Sequence, residues 1–325
     1  MVDLPGAQYS SECEIIFMST AFIFPGQGSQ SVGMMAGLTE SHPDIQNTFE
    51  EASDVLGYNL WELVCDGPKE KLNSTEFTQP AMLVAGVASW RVWQAAGGAA
   101  PAIMAGHSLG EYTALVCAGA LAFTDAVSLV SDRARYMQAA VPEGQGAMAA
   151  VLGLNDDAVR TLCDEQAAGE ILQAVNYNAP GQVVVAGSNT AVQRLVENAK
   201  QAGAKRALPL PVSVPSHCTL MQPATDNMAE RLNTIEISVP AIPVIHNVNV
   251  AAAANADEIR DLLARQISEP VRWVETIQQV AENGVDTLVE CGPGKVLCGL
   301  NKRINRDMKC ITLVSQSDLD TALGG

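Results

Sequence analysis

Residues 102–112 read Ala-Ile-Met-Ala-Gly-His-Ser-Leu-Gly-Glu-Tyr, and within them Gly106-His107-Ser108-Leu109-Gly110 fits a G-x-S-x-G elbow. No other segment restricts the fold so tightly. Residues 102–105 read as a short buried strand and 111–118 as a helix of small residues. Between them lies a tight turn with glycines two residues before and two residues after the serine, at 106 and 110, and their lack of a Cβ lets strand and helix approach. Such a turn exposes the Ser108 hydroxyl at the end of the strand. It also aims the hydroxyl at the free backbone N–H groups of a helix N-terminus, where negative charge can be held. The elbow commits the chain to an α/β arrangement with Ser108 as candidate nucleophile.

The surrounding pattern agrees. A strand over 21–24 ends in Pro25-Gly26-Gln27-Gly28, and helices over 44–56, 79–96 and 123–141 flank the elbow. That alternation predicts a parallel sheet covered on both faces. The texture changes at Pro142-Glu143-Gly144-Gln145-Gly146. Strand 147–152, helix 156–166, strands 171–176 and 182–186, helix 190–202 and strand 205–208 then give the β-α-β-β-α-β order of a ferredoxin-like unit. Asn155 and Asn189 are placed to cap its two helices. Beyond Pro209, Pro211 and Pro215 the α/β pattern resumes, with helix 221–232, strand 242–246 and helices 256–266 and 271–283. Strand 287–290, helix 295–305 and strand 310–313 complete it. The expected organisation is an irregular leader over 1–17, a large α/β domain over 18–143 and 213–325, and a ferredoxin-like subdomain over 144–212. A cleft between the two domains is the expected site. The leader holds Asp3, Glu12 and Glu14 and no basic n-region, so it does not read as a signal peptide.

Composition narrows the chemistry. The chain has 325 residues, 48% hydrophobic and 17% charged, which suits a folded soluble enzyme. A net charge of −17 argues against nucleic acid as partner, and it requires a local basic pocket for any anionic substrate. No apolar run reaches membrane-spanning length. Eight scattered cysteines show no CxxC or metal spacing, so reduced cytosolic thiols and no metal are expected.

A serine hydroxyl needs a base. Of four histidines, His107 adjoins the nucleophile and is expected to point away from it into packing, and His42 looks exposed. His246 follows an apolar strand and could sit at a sheet end. His217, in Ser213-Val214-Pro215-Ser216-His217-Cys218, lies where the chain re-enters the large domain beside the expected cleft. That position favours His217 over His246 as the base. No acid completes an obvious triad, so a backbone carbonyl would have to orient the base. The glycines at 26, 28 and 33 miss the dinucleotide spacing. That turn is either a flexible loop or half of an oxyanion hole, with the N–H groups of Gln27 and Leu109 aimed at a tetrahedral intermediate. Arg133 and Arg135 lie on the helix over 123–141. Helical arginines usually face water, but one of these could instead clamp a carboxylate with its planar fork.

Separated segments then converge. Ile23-Phe24-Pro25-Gly26-Gln27-Gly28-Ser29-Gln30, the elbow with Glu111-Tyr112, Asn176-Tyr177-Asn178-Ala179-Pro180-Gly181-Gln182, Val214-Pro215-Ser216-His217 and Gly292-Pro293-Gly294-Lys295-Val296-Leu297 occur in one order. Together they resemble the malonyl-CoA:acyl carrier protein transacylase family, the acyltransferases of type II fatty-acid synthesis. The resemblance runs from about residue 20 to the C-terminus. It implies an α/β-hydrolase-like large domain with a ferredoxin-like insertion and a Ser108–His217 dyad. It also implies that the backbone carbonyl of Gln266 orients the histidine, that Arg133 binds the malonyl carboxylate and that Gln27 serves the oxyanion. Asn176 and Asn178 join Gln27, Arg133 and Gln266 as substrate-binding candidates. Ala134 stands where the family often has glycine, a mild departure on a helix. The implied reaction is ping-pong transfer of malonyl from malonyl-CoA to the phosphopantetheine thiol of acyl carrier protein. It would run without a cofactor, in a cytoplasmic monomer. Lys205-Arg206 and Lys302-Arg303 with Arg306 are the basic clusters placed to receive the acidic carrier, unless they are ordinary solvated charges. The competing readings are a serine esterase or thioesterase, a trans-acting polyketide acyltransferase, and a partner protein that has lost activity.

Overall fold

The computed structural model describes residues 19–212 and 214–324; the leader expected over 1–17 lies outside them. Strands β1 (Thr20–Phe24), β2 (Ile103–Gly106), β3 (Gly146–Leu152), β4 (Leu172–Ala179), β5 (Gln182–Ser188), β6 (Arg206–Pro209), β7 (Val244–Ile245), β8 (Thr287–Glu290) and β9 (Lys309–Thr312) form two sheets. The larger has the order β7-β2-β1-β8-β9 and is parallel throughout. Side chains of β1 alternate between its faces, as a strand's period of two requires. Phe22 and Phe24 join the core under the helices Thr75–Ala95 and Phe123–Ala140, where Phe22 meets Trp90 and Trp93 edge-on at 5.2 and 5.1 Å. Ala21 and Ile23 join the core on the other side with Trp273 and Ile277. With both faces covered, the run is continuously apolar instead of alternating with polar residues.

The smaller sheet is antiparallel, with the order β4-β5-β3-β6. With helices Asp156–Ala167 and Asn189–Asn198 after its first and third strands, this is the ferredoxin-like topology. Ala149 and Val151 of β3 face those helices. Met148 packs on the other face with Val184 and the large unit's Cys218. Asn155 caps its helix by accepting from the Ala158 N–H. Asn189 does not act as a cap: Ser188 holds that position, and the Asn189 amide donates to the Gly144 carbonyl.

Three further differences have local causes. The helix expected over 79–96 begins a turn earlier, at Thr75, and carries Pro80 within its first turns. Short helices Leu60–Asp66, Lys69–Leu72 and Gln316–Ala322 occur where too few residues repeat to show a period. Thiols are not all reduced: Cys298 on the helix Val296–Ile304 and Cys310 on β9 form a disulfide, Cα atoms 5.6 Å apart. Spacing along the chain hides this pair, because the helix and the strand after it fold back on each other.

Candidate active site

Strand pairing assembles the site. Phe24 of β1 lies opposite Gly106 of β2, and Ala105 opposite Ile245 of β7. The residues that follow these three strands, Gln27, Ser108 and Asn247, therefore emerge side by side at the carboxyl edge of the sheet, the usual place for a ligand in such folds. Ser108 has φ 52°, the left-handed region that a side-chain-bearing residue adopts only when its surroundings impose it. The glycines around it are sterically required. A Cβ on Gly106 would lie 1.9 Å from the Gly110 carbonyl carbon, and one on Gly110 would lie 2.0 Å from the Phe24 oxygen.

His217 Nε2 lies 2.8 Å from Ser108 Oγ, and its Nδ1 lies 2.7 Å from the Gln266 carbonyl oxygen. That carbonyl can only accept, so Nδ1 carries the proton and Nε2 offers a lone pair to the serine. Burial first, and then the neighbouring Arg133 charge, lower the His217 pKa to about 3. The ring is therefore neutral, and a proton acceptor, at physiological pH.

Arg133, which ordinary odds would send to the surface, is 1% exposed. Its Nη1 donates to Gln79 Oε1 at 2.7 Å, and its Nη2 donates to Gln266 Oε1 at 3.0 Å and to Ser108 Oγ at 3.2 Å. Its guanidinium lies over the Tyr112 ring, and its Nε is buried without a partner. Burial lowers its pKa. Arg135, two residues on, is exposed and paired with Asp132. Gln79 carried no sequence signal, since a glutamine on an apolar helix has no distinguishing spacing.

Gln27 and Leu109 both reach the site: Gln27 lines the cavity with its side chain on Thr75 Oγ1 at 3.0 Å, and Leu109 begins the elbow helix Gly110–Cys117. Neither backbone N–H meets a protein acceptor among the described residues. The cavity over Ser108 and His217 encloses ≈ 170 Å³. Its far wall is the small sheet, with Met148, Val184, Leu210 and Asn176. Asn176 Oδ1 is buried without a partner, and Asn178 Oδ1 meets His107 Nε2 at 2.8 Å. His107 leans on Trp273, yet it also lines the cavity, which corrects the expectation that packing would absorb it.

His246 is not beside the serine. It is fully buried with Nδ1 2.7 Å from Glu111 Oε1. The residue after it, Asn247, was missed by the sequence reading and proves central: its side chain spans the Gly106 carbonyl and the Ser108 N–H, both at 2.7 Å.

A base-activated serine, two free amides and a buried cation one hydrogen bond from the hydroxyl can form, stabilise and select an acyl ester. Comparison with known proteins agrees. The acyl transferase domain profile matches residues 21–322. A malonyl CoA-acyl carrier protein transacylase of Escherichia coli (strain K12) is 55% identical over 93% of this chain and 98% of its own length. The Bacillus subtilis (strain 168) transacylase is 42% identical over 93% and 96%. The solved transacylase of Coxiella burnetii superposes with a TM-score of 0.93 at 50% identity, covering 94% of this chain and 97% of its own. A malonyl-transacylase solved in complex with its type II PKS acyl-carrier protein gives 0.93 at 53%, covering 94% and 99%. The chain belongs to the acyl transferase domain family, among the malonyl CoA-acyl carrier protein transacylases.

Proposed function

We propose that the enzyme moves malonyl from malonyl-CoA to the phosphopantetheine thiol of an acyl carrier protein, supplying fatty-acid synthesis through a malonyl ester on Ser108. The observation that carries this is Arg133, whose Nη2 stands 3.2 Å from Ser108 Oγ in a buried site. A cation there suits an acyl group that ends in a carboxylate and gives no advantage to a neutral one. His217 Nε2 takes the hydroxyl proton as Oγ attacks the thioester carbonyl. The N–H groups of Gln27 and Leu109 hold the oxyanion. Its collapse expels the CoA thiolate, which takes the proton from His217. The carrier thiol then loses its proton to the same nitrogen and attacks the ester, and Oγ recovers the proton as it leaves. Asn176, with an unpartnered buried Oδ1, and Asn178 line the route of the pantetheine arm.

No cofactor enters these steps. We read the enzyme as a monomer, because every group the steps require comes from one chain, and we place it in the cytoplasm, although the Cys298–Cys310 disulfide removes the reduced-thiol argument for that compartment. Lys205 and Arg206, at the exposed start of β6, and Lys302, on the helix Val296–Ile304, form a docking edge for the acidic carrier. Arg303 stands there too, though it already holds the Gln182 side chain and the Pro180 carbonyl at 2.9 Å. A type II PKS carrier is a second acceptor to assay, since a relative is solved with one.

The test is a mass shift. Wild-type protein with malonyl-CoA gains one malonyl group and yields it to holo-carrier, and Ser108→Ala gains none. A wild-type adduct that decays to free malonate faster than it transfers would mark an esterase.

A further inference from the structure

The elbow's strained serine is gripped from both sides. Its N–H donates to Asn247 Oδ1 at 2.7 Å, and its carbonyl accepts from Gln266 Nε2 at 3.0 Å. These two grips share an anchor. Glu111 Oε2 accepts from the Asn247 backbone N–H and from Gln266 Nε2, both at 2.9 Å. Its other oxygen takes the His246 contact at 2.7 Å. Glu111, His246, Asn247 and Gln266 are all fully buried. A buried carboxyl group needs hydrogen-bond partners, and three contacts reach the two oxygens of Glu111.

The arrangement also accounts for the missing triad acid. Glu111 makes no hydrogen bond to Ser108 Oγ or to the His217 ring. Through Gln266 it fixes the residue whose backbone carbonyl holds His217 Nδ1. Through Asn247 it fixes the Ser108 peptide, and the next N–H along the chain is that of Leu109. If the serine's φ of 52° relaxed, that N–H would turn away from the oxyanion.

We propose that Glu111 is a positioning residue for the reaction: its carboxylate, acting through Asn247 and Gln266, locks the Ser108 peptide so that nucleophile, base carbonyl and oxyanion amide stay aligned. This rests on the acyl-serine reading above. A lock of this kind acts on the transition state; its Gln266 arm also holds Arg133, whereas its Asn247 arm bonds to the elbow backbone alone. The Asn247 arm therefore serves malonyl and acetyl thioesters alike, unlike Arg133.

The test is single-turnover acylation with malonyl-CoA and acetyl-CoA, counted per active site, on folded Asn247→Ala and Glu111→Gln proteins. The expected result is an acylation rate lowered about tenfold to a hundredfold for both thioesters, less than deleting an oxyanion donor outright, with half-saturating thioester nearly unmoved. Wild-type acylation rates in folded Asn247→Ala protein would overturn the proposal, as would a loss confined to malonyl. If Glu111→Gln does not fold, Asn247→Ala decides alone, since it cuts one grip and leaves the carboxylate in place. Ser108→Ala runs beside them. Labelling that survives in Ser108→Ala defeats the acyl-serine reading itself. Labelling lost there, with Asn247→Ala as fast as wild type, defeats only the role of Glu111.

Discussion

The parallel sheet and the antiparallel sheet meet at one cavity and bring unlike things to it. Around the ends of β1, β2 and β7 the functional polar groups are nearly all buried and bonded to one another: Arg133 to Gln79 and Gln266, Gln266 to Glu111, Asn247 to the elbow. The small sheet offers an apolar wall, an unpartnered Asn176 Oδ1 and an outer edge where Leu208 is 46% and Val212 39% exposed. One side is a closed network that holds reacting atoms in place. The other is an open surface along which a long substrate arm can lie. Chemistry and reach are therefore separable by mutation.

Removing the base should give the largest effect. His217→Ala should lower serine acylation about 10³- to 10⁴-fold, at the upper end for a positioned acid–base group, measured by rapid-quench mass spectrometry. An acylation rate near wild type would place the base elsewhere. Arg133→Ala comes next. It should cut the preference for malonyl over acetyl thioesters by about 2–4 kcal/mol, the loss of a buried charge-assisted pair. The read-out is the ratio of kcat/KM for the two. An unchanged ratio would move recognition away from the closed network.

Acid should act on the same side of the molecule. Burial holds the His217 pKa at about 3, well below the ordinary histidine value of roughly 6.5. Between those values the unfolded chain binds a proton that the folded chain refuses. Stability from this group is therefore complete above about pH 6.5 and falls as pH drops toward 3, by roughly 1.4 kcal/mol per pH unit. The buried His107 is shifted in the same direction, chiefly by burial. No histidine lies within 144–212. Hydrogen exchange at pH 5 against pH 7 should then show protection lost first around the elbow and the His217 loop, and a His217→Gln protein should lose less stability on acidification. Equal loosening of both sheets would break the distinction.

How much of this could be read from the chain follows from how local each feature is. The elbow was legible because five consecutive residues impose it, and the ferredoxin-like unit because its strands and helices alternate cleanly. Gln266 entered through resemblance alone, and only resemblance chose Arg133 over Arg135 as the carboxylate clamp: nothing in the spacing of a helical arginine says that it is buried. Glu111 stood in plain view next to the elbow, yet its role depends on Asn247 and Gln266, which lie 136 and 155 residues away in sequence. The Cys298–Cys310 pair was missed for the same reason, since only packing brings helix and strand together.

The smallest effect belongs to the open edge. Arg206 sits opposite Leu152, and Leu152 opposite Gln182, so the start of β6 and the Arg303 contact on Gln182 border the same end of the small sheet. Arg206 shares its sheet face with Leu208 two residues on, and the next residue on that face, Leu210, lines the cavity. At about 3.3 Å per residue, Arg206 lies roughly 13 Å beyond Leu210, a distance a phosphopantetheine arm can span. The protein carries −17 overall, so an acidic carrier needs such a patch to approach at all. Exposed charges are individually weak, and reversing one should cost about 1 kcal/mol or less. Arg206→Glu should therefore raise KM for carrier protein only about threefold to fivefold, an effect that fades at high salt, while KM for malonyl-CoA moves less. Carrier kinetics unmoved at low salt would take docking off this edge and leave the antiparallel sheet as the cavity's wall alone.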